Sequence, residues 1–377
     1  MENAKIDNDY LTSILLSLLN IHSPSGYSDQ IVHYVGKELK KLKIDFNVTR
    51  RGAIRASLKG VTNAFDRAIT VHLDTIGAMV SELKENGRLA IVPIGTWSSR
   101  FAEGSRVTIF TEKSPYRGTV LPLKASGHVF DSEIDTQETS WKSLEIRVDE
   151  ICPNKTHLLK KGFDIGDFIS FDTMPEITDN VFINARHLDD KAGVAILLSI
   201  IKAIRQHEIE IPVDCHFLFT IFEEVGSGAS SVLYEDVNEM IVLDHAPVAP
   251  GQNSTEFSVT IGMMDQTGPY DYHLNRKLVD LCKKYKIDYR KDIFRFYRSD
   301  SASAIEAGND TRTALVGFGV DGSHGYERTH ISSLIATANL ILLYIQSDPV
   351  FKRDRKTMSS LEGFPNQPGR KIIQIKT

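Results

Sequence analysis

The feature that most restricts the fold of this chain is an alternation of apolar, strand-like runs with stretches of helical periodicity. Four runs have the length and composition of buried strands: RAITVHLDTIG from residue 67, VDCHFLFTIF from 213, EMIVLD from 239 and TALVGFG from 313. Stretches with apolar residues at helical spacing accompany them, such as DDKAGVAILLSIIKAI from 189 and HISSLIATANLILLYI from 330. This alternation predicts an α/β fold, with a mostly parallel sheet flanked by helices on both faces.

One long stretch interrupts the alternation. Between about residues 78 and 178, short β-like runs such as RLAIVPI, SRVTIFT and SLEIRV are separated by turn residues, which is typical of a small all-β unit. A chain of 377 residues also favours two domains. We therefore predict a discontinuous α/β domain at 1–77 and 179–348, an inserted β-barrel-like domain at 78–178, and a polar C-terminal tail at 349–377.

The composition excludes several classes of function. The net charge is −5, from 49 acidic and 44 basic residues spread along the chain, so there is no basic footprint for nucleic acid or a membrane surface. The basic cluster at 352–356 is interpreted as solvated. The three cysteines lack the spacing of a zinc site, the N-terminus is too polar for a signal peptide, and no apolar run reaches the ~18 residues of a membrane helix. We predict a cytoplasmic protein without nucleic-acid or membrane partners.

Polar side chains gather where the predicted strands and the last helix meet their loops. In parallel sheets, binding sites form at the carboxyl ends of the strands. Imidazole and carboxylate groups suit zinc, cobalt or manganese, and two such ions sharing a carboxylate need about five protein ligands and an unligated base. The candidates are His72, Asp74, Asp189, Asp190, Glu223, Glu224, Asp244 and His330.

The adjacent pair Glu223 and Glu224 is the sharpest of these signals. Two like charges at the end of a buried strand repel each other and are costly to desolvate. Neighbouring cations would remove that repulsion. Because adjacent residues at a strand end project in different directions, one glutamate can bind metal while the other acts on the attacking water.

In these residues and their surroundings the chain resembles the metallopeptidase family 42 aminopeptidases. The matching stretches occur in family order: VHLDTIGAMV, LKENGRLAIVPIGTW, KGFDIGDFISFD, ARHLDDKAGVA, FTIFEEVGSGA, VLD and YERTHISSL. The resemblance implies a two-metal hydrolase of short peptides, with zinc as the first expectation and cobalt or manganese as alternatives. It also implies that the inserted domain mediates self-association, from a dimer to a twelve-subunit shell.

The resemblance also implies a role for each site residue. In this assignment Asp189 bridges the two ions, Glu223 is the general base, and Asp74 orients His72 from outside the ligand set. The terminal ligands are His72 and Asp244 on one ion, and Glu224 and His330 on the other. His324 competes with His330 for the last position, and Asp190 is the better candidate to cap the following helix.

Other residues have weaker assignments. His187 and His245 flank proposed ligands and are interpreted as pocket walls or supports. Ser299 and Asp300 open a predicted helix, so capping is the alternative to a substrate contact there. The candidate substrate contacts are Arg298, Asp300 and His324. Trp97, Phe101 and Val107 either form the interface of the inserted domain or pack within it.

The sequence departs from the family pattern near the substrate pocket. Thr75 follows Asp74 where the family commonly has glutamate, and GYERTHISSL lacks a usual proline. RRGAIRA, LPLKASGH, FRFYRSDSASAIEAGNDTR and SHGYERTH together resemble a bacterial subgroup linked to the osmolyte dipeptide N-acetylglutaminylglutamine amide. Two alternatives remain open: a family 20-like deacetylase or carboxypeptidase, whose extra domain follows the glutamate pair, and a metal-free scaffold on a hydrolase fold.

Overall fold

A computed structural model describes residues 6–234, 237–356 and 358–367. The helices in these ranges are α1 (Asn8–Leu19), α2 (Asp29–Lys41), α3 (Gly127–Phe130), α4 (Lys155–Lys161), α5 (Leu188–Gln206), α6 (Tyr272–Tyr285), α7 (Asp300–Glu306) and α8 (Ile331–Ile345). The strands are β1 (Phe46–Val48), β2 (Ile54–Leu58), β3 (Thr62–His72), β4 (Gly77–Leu83), β5 (Leu89–Ile94), β6 (Arg106–Phe110), β7 (Pro115–Pro122), β8 (Leu144–Val148), β9 (Phe168–Phe171), β10 (Glu176–Ile177), β11 (Phe182–Ala185), β12 (Val213–Thr220), β13 (Val237–Val248), β14 (Val259–Asp265), β15 (Gly268–Pro269), β16 (Tyr289–Ile293), β17 (Arg312–Asp321) and β18 (Glu327–His330).

The main sheet has twelve strands, and its centre is parallel. Its order is β1-β2-β12-β3-β13-β17-β18-β11-β10, with β14 to β16 attached beside β17. The pairs β12–β3, β3–β13 and β13–β17 are all parallel, whereas the strands toward both edges pair antiparallel. The prediction of an α/β fold with an inserted β unit is confirmed, but the sheet is mixed, because most pairs outside its parallel centre are antiparallel.

Helices cover the sheet because burying their apolar residues against it removes apolar surface from water, which is favourable. The predicted helix at 189–204 is observed as α5, and its residues from Leu188 to Ile201 are buried on every side, as expected for a helix enclosed between other elements. It packs against α1, α8 and strands β3 and β13. None of the helices in the described ranges combines the length and apolar character that a bilayer crossing requires.

The inserted unit is a closed barrel of six strands, ordered β4-β5-β8-β7-β6-β9. It has its own core, in which Val107, Ile109 and Ile146 are fully buried. Trp97 packs edge-on against Trp141 and Phe171, so within the barrel Trp97 and Val107 serve packing. The barrel lies before Asp189, and every described strand after Glu224 belongs to the main sheet. This order fits family 42 and not the family 20 alternative.

The first part of the C-terminal tail is attached to the α/β domain. The Asp354 carboxylate accepts a hydrogen bond from Arg312 Nε at 2.7 Å, and the ring of Phe351 packs on the Arg312 guanidinium. The prediction of a merely solvated cluster at 352–356 is therefore wrong for Asp354. Residues 357 and 368–377 of the predicted tail, and residues 1–5 of the predicted α/β domain, lie outside the described residues.

Candidate metal centre and active site

Asp189 stands at the centre of the candidate site. It lies at the start of α5, where Asp189 and Asp190 have non-helical backbone angles and are joined by a cis peptide bond. The two carboxylate oxygens of Asp189 face different imidazoles. Oδ1 lies 3.0 Å from His72 Nε2, and Oδ2 lies 3.2 Å from His324 Nε2. Oδ2 also lies 3.1 Å from His245 Nδ1, so both carboxylate oxygens face imidazoles, as those of a bridging ligand would.

Backbone carbonyls fix the orientation of both imidazole rings. His72 Nδ1 lies 2.9 Å from the Asp74 carbonyl oxygen, and His324 Nδ1 lies 3.1 Å from that of Thr96. A carbonyl oxygen can only accept, so each Nδ1 must carry the proton it donates. In the neutral ring, Nε2 then presents its lone pair toward Asp189. A lone pair facing a carboxylate is stable only if a proton or a metal cation lies between them.

The two glutamates follow β12 and point to different places, as predicted. Glu224 Oε1 accepts a hydrogen bond from Ile76 N at 3.0 Å, and Oε2 lies 3.6 Å from His324 Nε2. Glu223 Oε2 lies 3.9 Å from His72 Nε2. Glu224 is therefore on the His324 side of the site, and Glu223 is beside His72.

Asp74 supports the site differently from the prediction. Its backbone carbonyl orients His72, whereas its carboxylate Oδ1 is 3.8 Å from His72 Nδ1, beyond hydrogen-bond distance. The carboxylate instead accepts hydrogen bonds from Ser25 Oγ at 2.5 Å and from the Glu223 backbone N–H at 3.2 Å. Asp74 therefore links the orientation of His72 to the backbone position of Glu223.

Asp244 lies within a strand, not at its end as predicted. β13 continues to Val248 because it keeps pairing with β17, where Asp244 is opposite Gly317. The pairing of β13 with β3 ends at Val242, which lies opposite Thr70. Asp244 is two residues further along β13 and is therefore level with His72, which is two residues beyond Thr70 on β3. Oδ1 of Asp244 lies 3.2 Å from His245 Nδ1, which in turn is 3.1 Å from Asp189 Oδ2.

His330 does not belong to this cluster, so the preference for it as a ligand disagrees with the structure. It ends β18 and is the N-cap of α8, with Nδ1 bonded to Ser332 Oγ and Nε2 to the Asn180 carbonyl oxygen. Its ring packs against Phe182 and Phe257. His324 occupies the position near Asp189 and Glu224 that the resemblance had given to His330.

Three other predicted residues lie beside or beneath the centre, and of these Asp190 has an oxygen close enough to join His72 and Asp244 around an ion. Asp190 Oδ2 accepts from the His72 backbone N–H at 3.1 Å, and its Oδ1 lies where a Cβ at Gly193 would clash at 2.1 Å. Asp300 is buried beneath the site, where it accepts from Thr220 Oγ1 at 2.6 Å and Ala229 N at 2.8 Å. Ser299 caps α7, as the alternative interpretation expected.

The electrostatics of the cluster favour a bound cation. Burial, followed by the charge of Asp189, raises the pKa of Glu224 to about 8. Burial and the Asp244 carboxylate likewise raise the pKa of Asp190 well above its usual range. Burial lowers the pKa of His324, but the charge of Glu224 and the bond to Asp189 outweigh it and raise the pKa to about 9. The crowded carboxylates therefore stabilise positive charge within the site.

The donor set fits divalent metal ions. Among the residues that the structure describes, three groups have ligand atoms within 4.8 Å of one another: His72, Asp190 and Asp244; His72, Asp189 and Glu224; and Asp189, Asp244 and His245. Nitrogen and carboxylate donors of this kind suit zinc, cobalt or manganese. Any two of these groups have one residue in common, so the donors form one connected cluster.

The cluster opens into a cleft of about 1080 Å³. Gly95 and Thr96 of the inserted domain line it, together with the consecutive segment from Phe294 to Arg298. Arg298 is held by Glu306 through two hydrogen bonds of 2.8 and 2.7 Å. Asp300 is not among the lining residues, because the bonds described above turn it into the protein. Of the candidate substrate contacts, Arg298 and His324 reach the cleft.

Sequence reasoning missed three residues that shape the site. The Glu327 carboxylate bonds to the backbone of both Asp189 and His324. Tyr297 lines the cleft and donates its hydroxyl to the His245 carbonyl oxygen at 3.1 Å. Thr96 acts through its carbonyl oxygen, which every residue type possesses. Two of these residues were visible in the sequence, Tyr297 within FRFYRSD and Glu327 within YERTHISSL, whereas the carbonyl of Thr96 was not.

Comparisons with known proteins identify the family of this chain. Residues 52–340 match a family model described as M42 glutamyl aminopeptidase. The chain is 39% identical over 338 residues to YhfE of Bacillus subtilis (strain 168), described as a candidate aminopeptidase. That match covers 89% of this chain and 97% of YhfE.

Solved structures show the same fold. Aminopeptidase APDkam598 from the archaeon Desulfurococcus kamchatkensis superposes with a TM-score of 0.82 at 21% identity, over 94% of this chain and 98% of its own. The TET1 peptidase of Pyrococcus horikoshii, described as assembling into a tetrahedron or a large octahedral shell, gives a TM-score of 0.79 at 22% identity. It covers 89% of this chain and 99% of its own.

The two histidines provide a direct test of the site. We expect His324→Ala to lower divalent-metal content and affinity, because it removes a nitrogen donor beside Asp189 and Glu224. His330→Ala should leave metal binding unchanged, although it removes the N-cap of α8 and costs about 1 kcal/mol of stability. Elemental analysis of both purified variants and a thermal melt check the two effects separately. Loss of metal from the His330 variant alone would contradict the geometry.

Proposed function

We propose, from the premise that this chain belongs to the M42 glutamyl aminopeptidase family of metal-dependent peptidases, that it removes residues from short peptides with a two-metal site. The observation that carries the proposal is the position of Asp189, whose two oxygens each face a histidine with its Nδ1–H held by a backbone carbonyl. This is the arrangement that a carboxylate bridging two cations requires.

The ligands divide into two groups around Asp189. His72 and Asp244 would hold one ion, since the strand register places them level with each other on β3 and β13. Glu224 and His324 would hold the other. When bound, such a pair of ions polarises the scissile carbonyl and lowers the pKa of the attacking water.

Glu223 is proposed as the general base. It lies beside His72, lines the cleft, and its backbone is held by the Asp74 carboxylate. Its carboxylate would take a proton from the attacking water and deliver it to the nitrogen of the leaving peptide. Because this role needs no metal contact, Glu223 and its neighbour Glu224 should respond differently to substitution.

We therefore expect Glu223→Gln to lower kcat by about 10²–10⁴-fold while metal content stays unchanged, because the amide cannot accept the proton. Glu224→Gln is the matched comparison, since it changes the adjacent residue in the same way but should lower metal content. Metal per chain is measured by elemental mass spectrometry, and activity is measured on peptides. If the wild-type chain takes up no zinc, cobalt or manganese, that result would contradict the mechanism and favour the scaffold alternative.

For substrate recognition we propose that Arg298 meets a carboxylate or amide oxygen of the peptide. Arg298 lines the cleft, and the two hydrogen bonds that it donates to Glu306 hold its guanidinium in one orientation. A fixed cation at the mouth of a site with acidic ligands favours substrates that carry an oxygen-rich group away from the scissile bond. The resemblance to the osmolyte subgroup gives N-acetylglutaminylglutamine amide as a specific candidate.

A peptide panel tests this assignment. Glutamine dipeptides are compared with free or acetylated N-termini and with free or amidated C-termini. We expect Arg298→Ala to raise KM for the preferred members with little change in kcat, because it removes binding and not chemistry. Glu306→Gln, which loosens the same guanidinium without removing it, should have a smaller effect. An unchanged KM across the panel for Arg298→Ala would rule out the contact.

We further propose that the chain self-associates through the inserted barrel. The support is the assembly described for TET1 of Pyrococcus horikoshii. Apolar side chains of the insertion also remain exposed in the single chain, notably Val129 at 73% and Ile151 at 87%. Light scattering of the purified protein should give a multiple of the chain mass, up to twelve. A strictly monomeric mass at micromolar concentration would contradict this proposal without affecting the active-site assignment.

A further inference from the structure

Glu327 is a buried carboxylate outside the proposed ligand set, and both of its oxygens are used. It is the first residue of β18 and is only 1% exposed. Its Oε1 accepts the His324 backbone N–H at 2.9 Å, and its Oε2 accepts the Asp189 backbone N–H at 3.2 Å. One side chain therefore ties together two segments that are far apart in the sequence.

Both of these segments have backbone conformations that need support. His324 has a φ of 62°, in the left-handed region that is uncommon for residues other than glycine. Asp189 lies in the first turn of α5, where its N–H has no helical partner, and its ψ of 110° is non-helical. Such conformations persist only where the surrounding structure fixes them. The Glu327 carboxylate fixes both, because it accepts hydrogen bonds from the N–H groups of His324 and Asp189.

Burying a carboxylate at position 327 would cost stability if the side chain only filled space. A buried carboxylate must recover its lost hydration through hydrogen bonds, and an apolar residue of similar size would avoid that cost. β18 is held independently of this side chain, because its backbone pairs with β11 at four positions, including Ala185 with Glu327. The carboxylate itself contributes the connection between Asp189 and His324.

We propose that Glu327 is a positioning residue that sets the distance between Asp189 and His324, and so the geometry of the metal ion they share. The inference rests on the proposed function, since it assigns those two residues as ligands. Glu327 would not touch the metal or the substrate. It acts on the ligands through their backbone, in the way that supporting residues around metal sites orient the groups they contact.

The test uses the full-length chain, stripped of metal and titrated with cobalt(II). In Glu327→Gln, the amide oxygen can accept only one of the two N–H groups, and its NH₂ faces the other. In Glu327→Ala, neither N–H has a partner. We expect cobalt affinity to fall by about 10- to 100-fold, more for alanine than for glutamine, with a changed visible absorption spectrum of the bound cobalt. With cobalt saturating, kcat should fall while KM changes little.

Glu256→Gln is the matched control. Glu256 is also a buried carboxylate with two hydrogen bonds, of 2.7 and 2.8 Å, but both come from Arg328, and Glu256 is not among the cleft residues. This variant should lose stability comparably while keeping wild-type cobalt affinity and spectrum. Folding of every variant is checked by circular dichroism.

The outcomes separate this inference from the proposed function. Wild-type protein that binds no cobalt overturns the proposed function and the inference together. Folded Glu327 variants with wild-type affinity and spectrum overturn the inference alone and leave the metal site standing. Reduced affinity in the Glu256 variant as well would show a general loss of stability, and it would also overturn a specific role for Glu327.

Discussion

The repulsion among buried carboxylates is the constraint on which the rest of this structure depends. One small region contains the buried acidic side chains of Asp74, Asp189, Asp190, Asp244 and Glu327, together with those of Glu223 and Glu224, which are 11% and 5% exposed. Burial and their mutual charges raise the pKa of several of them, and the imidazoles of His72, His245 and His324 lie among them. Such a cluster is stable only with added cations or protons, and bound divalent metal would meet this need with the donors already present.

Sheet topology is what brings the cluster together. β12, β3 and β13 are parallel neighbours, so their carboxyl ends lie along one edge of the sheet and deliver ligands from distant parts of the chain. The register matters as much as the order, because His72 pairs with Thr220 on one side and lies level with Asp244 on the other. A shift by one residue would turn Asp244 to the opposite face of the sheet.

The inserted barrel also takes part in the site. The carbonyl of Thr96, next to the end of β5, orients the His324 ring, and Gly95 and Thr96 line the cleft. Gly95 has a φ of 84°, and a Cβ there would come within 2.9 Å of Ile76. Close packing at this junction therefore affects a proposed metal ligand. An insertion that only provided an assembly surface would not need such a contact.

Side-chain chemistry was predictable from the sequence, and backbone chemistry was not. Apolar strand runs ending in His72, in Glu223 and Glu224, or near Asp244 carry their signal in residue type and position. His330 also had such a signal, since it precedes a helix, but that helix start uses the histidine as its own cap. His324 instead lies in a tight turn between β17 and β18, where no periodicity applies. Two bonds hold His324 in place: its ring bonds to the Thr96 carbonyl oxygen, and its own N–H donates to Glu327. The carbonyl and the N–H are backbone groups that every residue except proline possesses, so they leave no mark in the sequence.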